Sequence, residues 1–395
     1  MFFDETQLGA PDPVFGWLAA CKEDTRPNKL NLIVGTYKDE HFQNPLLSAV
    51  RKAERKIEAF ADYLPIGGLV EFCEQIGTLC FGKTSWKEQK GRICSTQSVG
   101  GTGALRVAAE FLRQEVGFQF AVTVPTWPTQ RSIVERVGGS LIQIPYYSSH
   151  RHAVDWEQYF SHLRSLSPKT IVFFHACCHN PTGCDPNKEA WKTIAGICEE
   201  KRLFPLFDVA YQGFGDGVEE DVAAVRTFFE RGIEMGVAYS CSKNFSLYSE
   251  RTGALFIVTA NHIAKAKVDS QLLRIIRNLY SNPPAHGARI VSTILSDLEL
   301  ETQWRQELNA MRHRICANRI KLVALLEQYS KKMDFQFILK RKGMFSYLDL
   351  TQEQVDMLIR TFGIYLLENG RMNISGLNQK NMEFFVHSLL EVCEA

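Results

Sequence analysis

Between residues 118 and 258, short apolar runs alternate with longer helical-looking segments, and this alternation restricts the chain to a parallel sheet covered by helices. The runs are Phe118–Val124, Thr170–Phe174, Leu203–Phe207, Gly236–Tyr239 and Ala254–Val258. The helical spacing falls between them, over Asn187–Lys201 and Glu219–Gly232. From about Asp297 to Lys332 a charged, amphipathic pattern predicts one long helix leading out of the sheet. Beyond it, short alternating segments (Met344–Leu348, Arg371–Ile374) and an amphipathic helix, Asn381–Val392, predict a smaller α+β domain. The expected division is a large domain over 45–310 and a small one from 1–44 plus 311–395.

Composition excludes several function classes. Hydrophobic residues make up 45% and charged residues 23%, an ordinary globular balance. The 45 basic and 44 acidic residues leave a net charge of +1, too little excess for general binding to nucleic acid or anionic membranes. No apolar run approaches the roughly 18 residues of a membrane span. The start, Met1-Phe-Phe-Asp-Glu-Thr6, lacks a basic, apolar secretory pattern, so the eleven cysteines are expected to be reduced and the protein cytosolic. Cys177-Cys178-His179 has no second ligand pair at zinc spacing; buried packing is expected there, and no metal.

The ends of the strands carry the chemistry. Phe118–Val124 runs into Pro125-Thr-Trp127, Thr170–Phe174 into His175-Ala-Cys-Cys-His-Asn180, Leu203–Phe207 into Asp208-Val-Ala-Tyr211, and Gly236–Tyr239 into Ser240-Cys-Ser-Lys243. Ligands of open parallel sheets bind beyond the carboxyl ends of the strands, so one shared sheet would gather these residues on one rim. Gly100-Gly-Thr-Gly-Ala-Leu105 opens an expected helix, Ala104–Arg113, and free N–H groups at such a start favour a phosphate. It matches neither the dinucleotide fingerprint nor the P-loop. Phosphate cradle, aromatic plate, carboxylate, phenol, lysine and arginine together point to pyridoxal phosphate. The lysine amine condenses with its aldehyde, and a carboxylate keeps its pyridine nitrogen protonated.

The chain resembles the aspartate aminotransferases, dimeric fold-type I pyridoxal phosphate enzymes, with phrases closer to the bacterial members. The motifs that carry the resemblance run in family order from Asn31-Leu-Ile-Val-Gly-Thr-Tyr37 and Tyr63-Leu-Pro-Ile-Gly67 through Gly100-Gly-Thr-Gly-Ala-Leu105 and His179-Asn-Pro-Thr-Gly183. They continue with Phe207-Asp-Val-Ala-Tyr-Gln-Gly213, Ser242-Lys-Asn-Phe245, Ser281-Asn-Pro-Pro-Ala-His-Gly287 and Gly370-Arg-Met-Asn373. The resemblance implies that Lys243 carries the cofactor, Asp208 pairs with its pyridine nitrogen, and Tyr211 and Asn180 contact its ring oxygen. It further implies that Gly101, Thr102, Ser240 and Arg251 bind the phosphate and that Trp127 covers the ring. Arg371 would grip the substrate α-carboxylate and Gly35 would offer a backbone contact. In the implied homodimer, Tyr63 would reach the neighbour's phosphate and Arg277 the substrate's side-chain carboxylate. One position departs from the pattern: where the family commonly has a histidine bonded to the cofactor-binding aspartate, this chain has Gln130, which hydrogen-bonds but carries no charge. His175 and His179 are expected to be supporting residues. The implied reaction transfers the amino group between L-aspartate and 2-oxoglutarate. The alternatives are an aromatic or broad-specificity aminotransferase, a silent paralogue, and a decarboxylase or racemase on the same cofactor.

Overall fold

The computed structural model describes residues 1–7, 9, 13–58, 60–330, 332–367 and 370–394. In chain order its strands are β1 (Leu30–Asn31), β2 (Ile93–Val99), β3 (Gln119–Val124), β4 (Ser140–Pro145), β5 (Tyr147–Ser148), β6 (Ala153–Val154), β7 (Ile171–His175), β8 (Phe204–Val209), β9 (Met235–Ser240), β10 (Thr252–Val258), β11 (Phe345–Tyr347), β12 (Ile364–Tyr365) and β13 (Arg371–Asn373). Seven of them form the central sheet in the order β2-β10-β9-β8-β7-β3-β4. β10 runs antiparallel to both neighbours; the other pairs are parallel. The expected α/β fold with a mostly parallel sheet is therefore present.

Side chains alternate across this sheet, as the strand period of two requires. Leu206, Ala238 and Leu255 pack with Leu105, Leu112 and Ile276 from the helices Gly100–Glu115 and His262–Leu279. Phe207, Val237 and Phe256 pack on the other face with Phe81, Trp191 and Phe228. Both faces are thus covered, which is why these strands are nearly continuous in apolar residues.

The five expected strands are β3, β7, β8, β9 and β10, their ends shifted by one or two residues. β2 and β4 were absent from the expectation. β2 reads ICSTQSV, too polar for a typical buried strand, yet Gln97 and Ser98 find hydrogen-bond partners outside the sheet. Gln97 accepts from the Leu69 N–H at 3.0 Å and donates to the Pro284 carbonyl at 2.7 Å, while Ser98 donates to the Gly100 carbonyl at 3.0 Å. β4 is an edge strand, half exposed, with no clear alternation.

Outside the sheet, β11 pairs with β13 and β1 with β12, so N-terminal residues join C-terminal ones. Arg26 strengthens that join by donating to the carbonyls of Ile359 and Arg360. The expected long helix is Leu298–Tyr329, capped by Asp297, whose side chain accepts from the N–H groups of Glu299 and Leu300. Its Trp304 is fully buried, stacks on Phe245 with ring centroids 4.5 Å apart, and donates its indole N–H to the Asn244 carbonyl at 2.7 Å. This contact seats the segment that carries Lys243. Trp304→Ala is expected to cost about 3–5 kcal/mol in urea unfolding; a loss below about 1 kcal/mol would contradict that anchoring role.

Candidate active site

Because β10 is reversed, its first residues lie at the rim where β2 and β9 end. Thr252 pairs with Val99 and Gly253 with Ser240. Arg251, just before β10, is thereby set beside Gly100, Gly101 and Ser240. The approach is close: a Cβ on Gly253 would lie 2.5 Å from the Tyr239 carbonyl oxygen and 2.6 Å from the Gly100 carbonyl carbon. Only glycine fits there. Arg251 holds a left-handed backbone (φ 53°) and donates to Ser242 Oγ at 3.2 Å and the Tyr248 carbonyl at 3.0 Å. Among the described residues it has no carboxylate partner, so the guanidinium, the helix start at Gly100 and the Ser240 hydroxyl offer an anion site.

Next along the rim, His175 ends β7 directly opposite Asp208 of β8. Asp208 is buried, and its Oδ2 accepts from Gln130 Nε2 at 3.2 Å. Gln130 Oε1 accepts from the Thr126 hydroxyl at 2.7 Å, which fixes the amide's orientation. Its Nε2 also lies 3.2 Å from His175 Nε2. The amide's two hydrogens therefore go to Asp208 and His175, so His175 accepts at Nε2 and carries its proton on Nδ1. Burial lowers the His175 pKa, in keeping with a neutral ring, and Asp208 opposes that shift. Gln130 thus makes the hydrogen bond to the carboxylate expected of it. His179 is held between the hydroxyls of Thr123 (3.0 Å) and Thr182 (2.9 Å), stacks on Tyr146, and is driven well below its usual pKa by burial. It acts as a neutral strut.

Lys243 follows β9, its Nζ 4.8 Å from the centre of the Tyr211 ring. Burial of the ammonium lowers its pKa to about 8, with Asp208 opposing and Arg251 reinforcing the shift. The side chain is still reached from a cavity of about 260 Å³. Burial also pushes the Tyr211 phenol up, so it stays protonated.

Across this cavity lies Arg371 of β13, buried, its pKa lowered to about 10 by desolvation. It donates to Asn180 Oδ1 at 3.1 Å and to the Ile33 carbonyl at 2.6 Å. Gly35 closes the same wall so tightly that a Cβ would sit 2.9 Å from Phe345 Cζ. Thr102 and the half-buried Trp127 complete the lining among the expected residues.

Tyr63 and Arg277 do not line the cavity of this single chain. Tyr63 is 90% exposed, and Arg277 is exposed and donates to Ser281. The lining also includes Tyr248, Ser242 and Phe345, which the sequence did not single out. Ser242 sits beside Lys243 in sequence; Tyr248, whose hydroxyl accepts from the Tyr37 N–H at 2.9 Å, gave no signal of its own.

The thiols of Cys177 and Cys178 and an Asp221 carboxylate oxygen lie within 4.8 Å of one another. That carboxylate already accepts from the N–H groups of Gly213, Gly215 and Asp216. The Cys177 pKa is raised, first by its hydrogen bond with Cys178 and then by burial, and burial pushes Cys178 up to about 12. The donor set therefore suits packed, protonated thiols.

A reactive lysine, a carboxylate locked by a neutral amide and an anion cradle, all on the rim of a mostly parallel sheet, define the class: a fold-type I transferase that uses pyridoxal phosphate. The family model described as aminotransferase class I and II matches residues 27–389. The aspartate aminotransferases of Haemophilus influenzae and Escherichia coli are each 41% identical over 394 residues, 99% of this chain and 100% of theirs. Among solved structures, the aromatic-amino-acid aminotransferase from Burkholderia pseudomallei, covalently bound to pyridoxal phosphate, aligns with a TM-score of 0.96 at 41% identity, 99% of each chain covered. The aspartate aminotransferase from Saccharomyces cerevisiae cytoplasm aligns with a TM-score of 0.96 at 32% identity over 99% of this chain and 98% of that one. The chain belongs to the class I and II aminotransferases.

Since the folded Lys243 pKa lies below the ordinary lysine value, its neutral, condensing form accumulates as pH rises through about 8. In cofactor-free protein, the rate of condensation with pyridoxal 5′-phosphate, followed by absorbance, should rise about tenfold from pH 7 to pH 9 and then level off. A rise that continues unchanged to pH 10.5 would show an ordinary, solvated lysine.

Proposed function

We propose that this protein transfers the amino group between L-aspartate and 2-oxoglutarate, with pyridoxal phosphate carried on Lys243. The observation that carries this reading is the pairing, in one cavity, of a lysine with a lowered pKa and the buried guanidinium of Arg371. A guanidinium there offers a bidentate partner to a substrate carboxylate. Full-length relatives named aspartate aminotransferase support the substrate assignment.

When bound, the cofactor supplies an electron sink that acidifies the substrate Cα–H. Lys243 Nζ takes that proton and returns it, a transfer that general acid–base catalysis makes about 10²–10⁴-fold faster. Asp208, held by Gln130, keeps a proton on the pyridine nitrogen. Tyr211 donates from its hydroxyl, and Asn180, whose Oδ1 is occupied by Arg371, has its amide N–H groups left to donate. Gly101, Thr102, Ser240 and Arg251 hold the phosphate, Trp127 covers the ring, and Gly35 lets substrate approach the backbone.

The working unit is a homodimer in which Tyr63 and Arg277 of one copy serve the cavity of the other. Their exposure in the single chain suits that role, as does the neighbouring exposure of Phe60 and Leu279. We assign 45–310 to the cofactor-binding domain and 1–44 plus 311–395 to the small domain, in a cytoplasmic enzyme. Among the described residues no helix is long and apolar enough to cross a membrane. A second reading, broad donor specificity that includes aromatic amino acids, is favoured by the likeness to the Burkholderia pseudomallei enzyme. The complete set of Lys243, Asp208, Tyr211 and Arg371 argues against a silent paralogue.

A panel of amino donors against 2-oxoglutarate tests the assignment, and a phenylalanine rate equal to the aspartate rate would establish the second reading. Arg277→Ala should lower kcat/KM for aspartate by about 10–100-fold, the worth of a charged hydrogen-bonded pair, and change that for phenylalanine by less than about threefold. Equal losses on both would remove side-chain carboxylate recognition from Arg277. Lys243→Ala should abolish both the cofactor's protein-linked absorbance and turnover; normal transamination by that variant would end the Lys243 assignment.

A further inference from the structure

Strand β11 supports Arg371 from below. It pairs with β13, placing Tyr347 opposite Arg371, and its Phe345 ring lies under the Arg371 guanidinium at 4.4 Å. Phe345 also meets Tyr211 edge-on, with centroids 5.8 Å apart. Whatever fixes β11 therefore fixes the face that Arg371 shows to the cavity.

Both ends of β11 are tied to the hairpin formed by β5 and β6, which follows the sheet's edge strand β4. At the near end, Arg341 is buried and donates through Nη2 to the Tyr147 hydroxyl at 2.9 Å and to the His152 carbonyl at 2.8 Å. Its Nη1 contacts Cys184, four residues beyond Asn180, and its guanidinium lies 5.3 Å from the centre of the Tyr147 ring. The next residue, Lys342, donates its N–H to the Gly183 carbonyl at 2.8 Å. At the far end, Asp349 Oδ2 accepts from the Tyr147 hydroxyl at 2.5 Å and lies 2.6 Å from His152 Nδ1. Tyr147 is thus the bridge of a buried charge pair, accepting from Arg341 and donating to Asp349.

Two features set this cluster apart from ordinary packing. Asp349 has a side chain only 5% exposed and holds a left-handed backbone (φ 56°), a conformation that favours glycine. Both of its carboxylate contacts fall on Oδ2, while Oδ1 is buried without a hydrogen-bond partner among the described residues. A buried charge pair adds little net stability compared with apolar packing, but it fixes geometry firmly, because breaking one partner leaves the other charge uncompensated.

We propose that Tyr147, Arg341 and Asp349 form a clamp that positions Arg371 for the substrate α-carboxylate by holding β11 at both ends. The clamp rests on the carboxylate-binding reading of Arg371 given above. It sets affinity for the acid group through Phe345 and Arg371, and its contacts include none of the phosphate-binding residues Gly101, Thr102, Ser240 and Arg251, on which cofactor affinity rests.

The test uses the holoenzyme and its Tyr147→Phe and Asp349→Gly variants, with succinate, a four-carbon dicarboxylate lacking an amino group, as the binding probe. Tyr147→Phe removes one oxygen, and Asp349→Gly removes the carboxylate while relaxing the backbone, so folding is protected by two different routes. Calorimetric Kd for succinate should rise about tenfold in both, as expected for loss of a hydrogen bond to a charged group. KM for aspartate should rise in step with a smaller change in kcat, while cofactor absorbance and cofactor affinity stay at the parent values. An unchanged succinate Kd, or a cofactor affinity that falls along with it, overturns the clamp. Arg371→Lys separates the two readings. If that variant keeps parent succinate affinity, the carboxylate role of Arg371 fails first. If it weakens binding and Tyr147→Phe does not, the clamp alone fails.

Discussion

In a sheet whose other neighbours run parallel, β10 runs backwards, and that reversal brings Arg251 to the rim. Had β10 followed its neighbours, Arg251 would lie at the opposite edge, away from the helix start at Gly100 and from Ser240. The register pairs of Gly253 with Ser240 and Thr252 with Val99 fix the distance, and the lack of a side chain at Gly253 lets the Gly100 backbone close in. The anion cradle is therefore a product of topology before it is a product of charge. With that cradle at one end of the cavity, Lys243 and Asp208 line the same cavity beside it.

Electrostatics then decides which groups are reactive. Three cations, Lys243, Arg251 and Arg371, line a cavity whose lining contains one carboxylate, Asp208. Desolvation dominates the shifts of Lys243 and Arg371, and each is lowered. The arginine remains charged because its ordinary pKa is so high, whereas the lysine is brought to where it can gain or lose a proton near neutrality. Gln130 fits this division. As a neutral amide oriented by Thr126, it orients Asp208 without adding a fourth positive charge.

Much of this was legible in the sequence because parallel strands buried on both faces must be apolar and must end in loops. The runs that became β3, β7, β8 and β9 announced themselves, and the polar residues following them marked the rim. β2 was hidden because Gln97 satisfies its hydrogen bonds through the Leu69 N–H and the Pro284 carbonyl, far along the chain, which no local pattern records. β4 was hidden because an edge strand has no obligation to be apolar. The glycine-rich segment starts a helix, as its sequence predicts, but its partnership with Arg251 depends on the reversal of β10, a three-dimensional fact. Phe345 and Tyr248 went unnoticed for a related reason. Aromatic residues are common in cores, and only the assembled cavity shows that these two face it.

The remaining question is how Lys243, in the turn after β9, and Arg371, on β13 of a separate two-stranded sheet, come to face one cavity. The helix Leu298–Tyr329 is the common member. At 32 residues it spans roughly 48 Å. Near its start, Trp304 stacks on Phe245 and bonds to the Asn244 carbonyl, fixing the turn that follows Lys243. About three to four turns further on, Arg314 donates to the carbonyls of Lys38, Ser375 and Leu377, and Arg319 donates to the Gly343 carbonyl at 2.7 Å, two residues before Phe345. One rigid element thus bonds at one end to the lysine segment and further along to the strands that carry and support the arginine. The segment after Lys243 and the strand beneath Arg371 are therefore both tied to one helix, the first through Trp304 and the second through Arg319.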